Sequence, residues 1–562
     1  MQAGMPFGAM SASPIQTGQL GGDPDWWRGG VIYQIYPRSF VDLNGDGVGD
    51  LAGINSRLDH VAGLGVDAIW ISPFFPSPMA DFGYDVSDYR GVDPLFGTIQ
   101  DFDNLLSSAH EKGLRVLLDL VLSHTSDQHS WFQESRVDRT NSRADWYVWA
   151  DPKPDGTAPN NWLSIFGGPA WEWDTRRRQY YMHNFLAAQP DLNFHNPQVQ
   201  EAMLNVARFW LERGVDGFRL DTANMYAHDP ALTDNPPRSQ PAVPGVPEQN
   251  PYAMQEPIHN INRPETLEFH ERLRKLTDEF NATTLVGELG VVPDMYASLT
   301  EYTAPGRLHM AYSFDLLGGE FKAQFFRRTA ERMSRRAGEC WPSWALSNHD
   351  VARAISRWRL GSNAQTAAPL LMAILCSLRG TPCIYQGEEL GLTEATIPYE
   401  LLQDPYGKRF WPEYQGRDGC RTPMPWASGA AHYGFSDATP WLPSAPEHGP
   451  LSVNDQDMNE GSVLNRVRRF LRWRGGFDQL RKGDIRFLDA DPDVLAFLRQ
   501  GAEADMLCLF NISDRQRSFE TGEFTSVAPL TGHGFSGELL GLGVILPPFE
   551  AFFGTVPPQT WG

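Results

Sequence analysis

Short apolar runs alternate with longer amphipathic stretches along most of the chain from Val31 onward. The apolar residues in the short runs are nearly continuous, which is typical of parallel strands that are buried on both faces. Eight such strands with helical crossovers predict a (β/α)8 barrel, and the Gly-rich turn that would favour an open doubly wound sheet is missing. The predicted strands span residues 31–36, 67–72, 115–121, 216–221, 284–289, 311–316, 343–348 and 382–387.

Helical periodicity follows several of these strands, as in residues 98–113 and 196–214. In the second stretch, Asn196 is placed to cap the N-terminus and Pro197 would occupy the first helical position. Gly214 is placed to end the helix. These signals predict crossover helices of the length that a barrel needs.

The alternation is interrupted twice by segments that are too long to be ordinary loops. Residues 125–195 follow the third strand, are rich in Trp, Asp and Pro, and predict a small inserted domain. Residues 225–262 follow the fourth strand and contain DNPPRSQPAVPGVPEQNP, a run incompatible with a helix or a sheet. A linker is the alternative for either segment, but because both would emerge at the C-terminal end of the barrel, where active sites form, we expect a lid there.

The remaining segments complete the predicted domain organisation. Residues 25–124 and 196–480 would form the barrel. Short strand-like runs in residues 481–562 predict a C-terminal β-sandwich of antiparallel strands. Residues 1–24 are small, polar and without Lys or Arg, so they predict a flexible tail rather than a signal peptide.

The composition narrows the possible partners of this 562-residue chain. A formal net charge of −22 opposes binding to nucleic acid and to anionic membrane surfaces. No stretch of about 20 apolar residues is present to span a membrane. The five cysteines show no metal-binding spacing, so we expect a reducing, cytoplasmic compartment.

Ionisable side chains stand at the C-terminal ends of four predicted strands. A single such residue is more often a turn former or a helix cap, but four successive occurrences indicate a site. In a barrel these strand ends meet at one mouth. The motifs are DLVLSHTS, GFRLDTAN, VGEL and SNHD, which present Asp119, His124, Arg219, Asp221, Glu288, His349 and Asp350.

Three converging carboxylates indicate a glycosidase. One carboxylate would attack the anomeric carbon, and a second, protonated carboxyl would give its proton to the leaving oxygen. Arg219 lies two residues before Asp221 in a strand, so both side chains share a face and the guanidinium would keep Asp221 ionised. Burial of Glu288 after an apolar run would raise its pKa, as a proton donor requires. Asp119 fits a structural strand-end residue better than a catalytic one.

These motifs resemble the four signature regions of glycoside hydrolase family 13, the α-amylase family, in order and on the expected strands. The resemblance extends from WWRGGVIYQIYPRSF at residues 26–40 to the C-terminal β domain, and is greatest for the α-glucosidase and oligo-1,6-glucosidase branch. It implies that Asp221 is the nucleophile, Glu288 the general acid/base and Asp350 the third carboxylate, which binds sugar hydroxyls.

The resemblance also implies a closed pocket for one terminal glucose. Tyr84 would be its stacking platform, and Arg417, in QGRDGCRTPMPW, would reach Asp81 to close it. From the pattern alone, Phe166 and Phe185 fit the small-domain core as well as the pocket wall. The full set of implied substrate-binding residues is Asp81, Tyr84, His124, Phe166, Phe185, Arg219, His349 and Arg417.

The implied activity is that of a retaining, exo-acting α-glucosidase on short oligosaccharides, disaccharides or aryl glucosides, with transfer to glucosyl acceptors.

Two residues depart from or refine the family pattern. Ser123 stands where most of the family has Asn, which argues against an amylase-like calcium site between barrel and insert. Thr222, directly after the nucleophile, resembles members that prefer α-1,4 links, whereas Val is typical of α-1,6 preference. The chain would act as a monomer or homodimer.

Other functions remain open at this point. Oligo-1,6-glucosidases, sucrose isomerases and trehalose synthases share the same carboxylates, although the RLDRD-type loop of the isomerases is missing. The transporter subunits of this family are interaction proteins with a membrane-spanning helix and lost carboxylates, and neither feature is found here. An intact acid and nucleophile pair also argues against a carbohydrate-binding module.

The stretch DLNGDGVGD, residues 42–50, has oxygen-bearing side chains at alternate positions. An EF-hand would need Glu at the twelfth position, which is Gly53, and a helix before the loop, where a strand is predicted. The loop therefore predicts a structural Ca²⁺ or Mg²⁺ site, which the family resemblance supports, and a polar turn is the alternative. No organic cofactor is expected. The ligands would be Asp42, Asn44, Asp46 and Asp50, with the carbonyl of Val48.

Overall fold

A computed structural model describes residue 20 and residues 22–239, 246–292, 294–336 and 340–559 of the chain. The predicted tail, residues 1–24, lies mostly outside the described residues, as do residues 240–245 of the predicted lid. Within the described residues, no helix is long and apolar enough to cross a membrane.

The strands belong to the barrel, to the insert and to the C-terminal sheets. They are β1 (Ile32–Ile35), β2 (Ala68–Ile71), β3 (Arg115–Leu120), β4 (Trp149–Ala150), β5 (Trp171–Asp174), β6 (Gln179–Met182), β7 (Gly217–Leu220), β8 (Thr284–Leu289), β9 (Met310–Ser313), β10 (Pro342–Ala345), β11 (Thr381–Tyr385), β12 (Ile485–Phe487), β13 (Val494–Arg499), β14 (Asp505–Asn511), β15 (Arg517–Glu520), β16 (Ala528–Pro529), β17 (Glu538–Leu540), β18 (Gly543–Leu546) and β19 (Ala551–Val556).

The α-helices lie mainly between barrel strands and before the C-terminal sheets. They are α1 (Leu51–Ser56), α2 (Leu58–Leu64), α3 (Ile99–Glu111), α4 (Ser130–Ser135), α5 (Pro197–Arg213), α6 (Glu265–Thr277), α7 (Met295–Tyr302), α8 (Ala323–Arg336), α9 (Ala354–Arg357), α10 (Ala364–Ser377), α11 (Pro405–Phe410), α12 (Val453–Asp457), α13 (Val463–Gly475) and α14 (Asp478–Lys482).

All eight predicted strands are present, and they close into a parallel barrel in the order β1-β11-β10-β9-β8-β7-β3-β2. The predicted (β/α)8 fold is therefore confirmed. Every residue of β3, β7 and β8 is buried, which explains why their apolar runs are continuous rather than alternating. The sixth predicted strand extended too far, because a 3-10 turn over Phe314–Leu317 follows β9.

The crossover helices begin and end where their capping residues predict. The Asn196 side chain accepts a hydrogen bond from the backbone N–H of Gln198 at the start of α5. The helix ends at Gly214, whose φ of 104° only glycine adopts readily. Helix α3 starts with a capping box between Thr98 and Asp101. These caps fix where each chain segment returns to the barrel.

Two antiparallel units flank the barrel. Strands β4, β6 and β5 form a three-stranded sheet within residues 125–195 and have a small apolar core of their own. In the C-terminal region, a five-stranded sheet (β12-β13-β14-β19-β16) and a three-stranded sheet (β15-β18-β17) share a cluster of buried apolar side chains. The antiparallel C-terminal domain is confirmed, and the domain limits stay predictions.

The described part of the lid segment contains two short pieces of local structure. A 3-10 turn spans Pro251–Met254, and Pro237 forms an isolated β-bridge with Gln255. The described part of the Pro-rich run, residues 234–239 and 246–251, contains no α-helix and no strand of a sheet, as its prolines predict, and the 3-10 turn begins only at its last residue, Pro251. Asn161 of the insert donates to the backbone oxygen of Asn235 (2.9 Å), which fastens the lid segment to the insert.

Candidate active site

A cavity of about 560 Å³ opens at the C-terminal ends of the barrel strands. The barrel, the insert and the lid segment all contribute to its wall. Two predicted binding residues, Arg219 and His349, are buried behind this wall rather than part of it. The predicted residues that line it are Asp81, Tyr84, His124, Phe166, Phe185, Asp221, Glu288, Asp350 and Arg417.

The guanidinium of Arg219 joins three carboxylates at the floor of this cavity. Its Nη1 donates to Asp119 (2.8 Å) and to Asp221 (2.7 Å), and its Nη2 lies 2.7 Å from Glu288. Register explains the meeting, because Asp119 pairs with Arg219 on neighbouring strands β3 and β7. One shared cation holds the two catalytic candidates close together, as the short carboxylate separation of a retaining glycosidase requires.

Protonation in this cluster is set by burial. Burial raises the pKa of Glu288 to about 7, against the opposing charge of Arg219. Burial also raises the pKa of Asp221 to about 7 and outweighs the lowering by Arg219, so Arg219 does not keep this carboxyl ionised as expected. After burial, the negative charges of Asp119 and Asp350 raise this pKa further, and Arg219 is shared among three carboxylates. Burial therefore favours the protonated forms of the carboxyl groups in this cluster.

Backbone and tyrosine donors orient Glu288. The backbone N–H of Thr222 donates to its Oε2 (3.1 Å), and the hydroxyl of Tyr312 donates to its Oε1 (3.0 Å). Tyr312 also lies 3.2 Å from Nη2 of Arg219. Because Thr222 directly follows Asp221, the same backbone segment fixes both catalytic candidates relative to each other.

Asp350 has the opposite electrostatic environment. Burial would raise its pKa, but His349 and the guanidinium groups of Arg417 and Arg421 outweigh burial and hold the pKa well below its usual range. Arg417 and Arg421 contact Oδ1 at 3.2 and 2.8 Å. Asp350 is therefore ionised at neutral pH, which suits a carboxylate that accepts hydrogen bonds from sugar hydroxyls.

Arg417 closes one side of the cavity. Its Nη2 donates to Asp81 (2.7 Å) and to Asp404 (2.8 Å), and its Nη1 reaches Asp350. Asp404 also accepts the backbone N–H of Arg417 (2.8 Å), which fixes the direction of the side chain. The predicted Arg417–Asp81 contact is present in the structure, and its role in sugar binding stays a prediction.

His349 was expected to bind sugar hydroxyls, but both of its ring nitrogens contact protein groups. Nδ1 lies 2.7 Å from Nε2 of Gln34, and Nε2 lies 2.7 Å from the hydroxyl of Tyr84. Burial lowers the pKa of His349 to about 3, so the ring is neutral. Its ring is parallel to that of Tyr84, with centroids 5.3 Å apart. In the structure His349 therefore holds Tyr84 in place, behind the cavity wall.

The insert supplies aromatic side chains to the same cavity. Phe185 packs against the ring of His124 (centroids 5.2 Å apart) and Phe166 packs against Phe185 (5.9 Å). The guanidinium of Arg417 lies 5.2 Å from the Phe166 ring. Both phenylalanines are thus part of the wall and not of the small core around Trp162.

A comparison with protein families identifies the source of this geometry. Residues 34–483 match the family model Alpha-amylase, described as "Alpha amylase, catalytic domain". The chain belongs to the α-amylase family. It is therefore a glycoside hydrolase of family 13, which acts with retention of configuration, as the four strand-end motifs predicted.

Three similar proteins extend this finding. A probable α-glucosidase of Rhizobium meliloti (strain 1021) is 56% identical over 552 residues, which are 97% of this chain and 99% of the relative. The solved structure of an α-glucosyl transfer enzyme, XgtA, has a TM-score of 0.92 at 53% identity, covering 94% of this chain and 99% of that one. A trehalulose synthase MutB variant has a TM-score of 0.85 at 32% identity, covering 94% and 100%.

The outer half of this family-13 cavity differs in character from its floor. The floor carries the converging carboxylates, whereas the wall toward the lid segment and the loop after β8 combines many apolar side chains with Arg238, Glu256 and Asp315. An apolar wall here would face whatever group is attached to the glucose. Its side chains are Met225, Pro257, Ile258, Val291, Val292, Met295, Phe314 and Val351.

The loop of residues 42–50 winds tightly, with positive φ at Gly45 and Gly47. Its oxygens accept neighbouring N–H groups: Asp42 accepts from Gly45 and Gly47 (both 2.7 Å), and Asp50 accepts from Leu43 (2.9 Å). Among the described residues there is no group of three or more His, Cys, Asp or Glu side chains placed to hold a metal ion. The donor types suit a hard cation, but the described arrangement does not converge on one.

The remaining predicted ligands follow the same pattern. Asn44 Oδ1 accepts from the N–H of Asp46 (2.9 Å), and Asp46 Oδ1 accepts from the N–H of Val48 (2.8 Å). Each oxygen keeps a second lone pair beyond these bonds. The metal site therefore stays a prediction.

The site also contains several residues that the sequence analysis did not predict. Tyr312 touches both Arg219 and Glu288, Asp404 fixes Arg417, and Arg421 contacts Asp350. Only Arg421 carried a signal, because it lies with Arg417 in the stretch QGRDGCRTPMPW. Tyr312 was inside a predicted strand, and nothing in its neighbours indicated which face it would occupy.

Proposed function

We propose that this enzyme is a retaining, exo-acting α-glucosidase that cleaves a terminal α-glucosyl residue from short substrates or aryl glucosides. Asp221 would attack the anomeric carbon while Glu288 gives its proton to the departing oxygen, so that a β-glucosyl ester forms on Asp221. Glu288, now ionised, would then take a proton from water, and the resulting hydroxide equivalent would cleave the ester with net retention.

The observation that carries this proposal is the shared contact of Arg219 with Asp221 and Glu288 beneath the cavity. It holds a nucleophile and a proton donor side by side. Asp350, kept ionised by Arg417 and Arg421, would bind the sugar hydroxyls as the ring distorts. The test is release of p-nitrophenol from p-nitrophenyl α-glucoside by the wild type and its loss in Asp221→Asn.

The same intermediate supports transfer to acceptors other than water. The relative XgtA is described as an α-glucosyl transfer enzyme. The apolar outer wall would hold an acceptor alcohol near the ester and displace water from it. An isomerase activity is the second candidate, because a trehalulose synthase shares the fold at 32% identity. Sucrose would then yield isomeric disaccharides rather than free glucose and fructose.

Substitution of Thr222 by Val is expected to shift linkage preference. Thr222 lines the cavity directly after the nucleophile, and Val has the same shape without the hydroxyl. We expect the wild type to prefer maltose over isomaltose and Thr222→Val to lower that ratio of kcat/KM values. Steady-state kinetics on both disaccharides would measure it. A wild type that prefers isomaltose would contradict the α-1,4 assignment.

We also propose that the loop of residues 42–50 binds Ca²⁺ or Mg²⁺ as a structural clamp. Its oxygen donors support this, and no catalytic candidate lies in it. Treatment with EDTA is then expected to lower Tm while kcat of the still-folded enzyme is retained, with Asp46→Ala as the matched variant that no longer responds. An unchanged Tm would favour the self-contained polar turn that the hydrogen bonds describe, and an immediate loss of kcat without melting would contradict a structural role.

A further inference from the structure

Thr222 joins the nucleophile to the proton donor through a strained backbone. Its φ is +42°, a left-handed value that β-branched residues rarely adopt. Such a conformation persists only where surrounding contacts hold it. One contact is the bond from its N–H to Glu288, and a second must fix the side chain.

The second contact comes from Ser123, on the loop after β3. The hydroxyls of Ser123 and Thr222 lie 3.1 Å apart, and both residues are buried. The Thr222 hydroxyl has one other neighbour, Oδ2 of Asp221, at the longer distance of 3.4 Å. Since a hydroxyl has one proton, it donates either to Ser123 or to the nucleophile.

The tautomer of His124 determines the direction of the hydrogen bond between Ser123 and Thr222. His124 Nε2 lies 2.9 Å from the backbone oxygen of Tyr84, which only accepts, so Nε2 carries the proton. Gln189 Nε2 lies 3.2 Å from the same nitrogen, but it also lies 3.4 Å from Asp81 and 3.4 Å from the backbone oxygen of Tyr84. It can therefore donate to these acceptors instead of to His124. With the ring neutral, Nδ1 is an acceptor and receives the Ser123 hydroxyl proton over 2.9 Å. Ser123 Oγ is then left to accept from Thr222.

We propose that Ser123 is a positioning residue. It accepts the hydrogen bond of the Thr222 hydroxyl, so this hydroxyl does not donate to Asp221, and Oδ2 of the nucleophile is free for attack. The other oxygen, Oδ1, is already bound by Arg219 at 2.7 Å, so Oδ2 is the oxygen that remains for the anomeric carbon. The inference rests on the proposed formation of a glucosyl ester at Asp221. It also gives Ser123, which departs from the family pattern, a role within the catalytic site.

Substitution Ser123→Ala removes the acceptor of the Thr222 hydroxyl. The hydroxyl is then expected to donate to Oδ2 of Asp221, which stabilises the carboxylate and weakens it as a nucleophile. We expect kcat/KM for p-nitrophenyl α-glucoside to fall about tenfold, the value of one hydrogen bond to a charged group. The acid limb of its pH profile should move to lower pH. The charged groups that face Asp221, namely Arg219, Asp119, Glu288 and Asp350, are the same in both proteins.

Two further variants separate this role from a general loss of packing. In the double variant Ser123→Ala/Thr222→Val, residue 222 has no hydroxyl that could donate to Asp221. The acid limb of its pH profile should therefore return to the wild-type position. Thr222→Val alone should leave the acid limb in place, because the native hydroxyl does not donate to Asp221. Ser126→Ala, a buried serine three residues further along the same loop, is the matched control and should change neither limb nor kcat.

Specific results would overturn either this inference or the proposed function. If Ser123→Ala keeps the wild-type acid limb, or if Thr222→Val raises it, the Thr222 hydroxyl acts otherwise and the inference is overturned. The Thr222→Val measurement decides the matter even if Ser123→Ala does not fold. Absence of any p-nitrophenol release by the wild type would instead overturn the proposed function, so the two failures are distinguishable.

Discussion

Asp221→Asn is expected to lower kcat on p-nitrophenyl α-glucoside by about 10⁴-fold or more, because it removes the proposed nucleophile. The amide has nearly the shape of the carboxylate, and Arg219 keeps its contacts with Asp119 and Glu288. The fold should therefore persist, and the loss should appear in kcat rather than in Tm. Stopped-flow or steady-state release of p-nitrophenol would measure the loss.

A second measurement identifies Asp221 as a nucleophile rather than a structural partner of Arg219. In Asp221→Gly, azide has room to attack from the vacated side, so β-glucosyl azide should form and p-nitrophenol release should partly recover. Asp174→Asn is the matched control, since Asp174 is also buried and paired with an arginine but lies in the insert, away from the cavity. Recovery without azide product, or an equal loss in Asp174→Asn, would contradict the assignment.

Glu288→Gln is expected to lower kcat/KM for maltose by about 10³-fold, within the range that general acid catalysis supplies. A p-nitrophenolate leaving group needs little protonation, so its departure should be affected far less. The ratio of the two effects, measured by steady-state kinetics on both substrates, is the signature of a proton donor. Equal losses on both substrates would indicate a binding or structural role instead.

The pH dependence gives an independent check on Glu288. Burial raises its pKa to about 7, so the acid is protonated below that value and loses its proton as pH rises through it. In the wild type, kcat/KM for maltose should therefore decline above about pH 7, whereas the Gln variant cannot titrate and should show no such basic limb. Glu388→Gln is the matched control, because burial also raises the pKa of Glu388 to about 7 but this residue lies outside the cavity. Its basic limb should be that of the wild type.

The distribution of the arginines explains why the carboxylates of this cavity differ in protonation. Arg219 contacts Asp119, Asp221 and Glu288, so it cannot fully compensate any of them. The net negative charge of the buried cluster favours retention of one proton. Asp350 has two arginines of its own and stays ionised. A proposed acid and an ionised carboxylate thus coexist in one cavity because the arginines are unequally distributed.

The sequence by itself determined the barrel and the position of the charged residues within it. Continuous apolar runs reflect burial on both faces, and this local pattern is present whatever the rest of the chain does. Residues Asp221, Glu288 and Asp350 follow or end such runs, so their meeting at one mouth follows from the closure of a parallel barrel. The capped helix Pro197–Arg213 was equally readable, because its signals lie within one turn of each end.

Only the tertiary structure decided how these charges are shared and oriented. Arg417 and Asp81 are 336 residues apart, and Tyr312 and Arg219 are 93 apart, so no local pattern records their contacts. The raised pKa of Asp221 and the turn of His349 toward Tyr84 result from burial and from competition among neighbours. The bond between Ser123 and Thr222 likewise exists only because two loops meet. Local patterns encode burial and element type, whereas partner choice within a buried cluster depends on distances that packing alone sets.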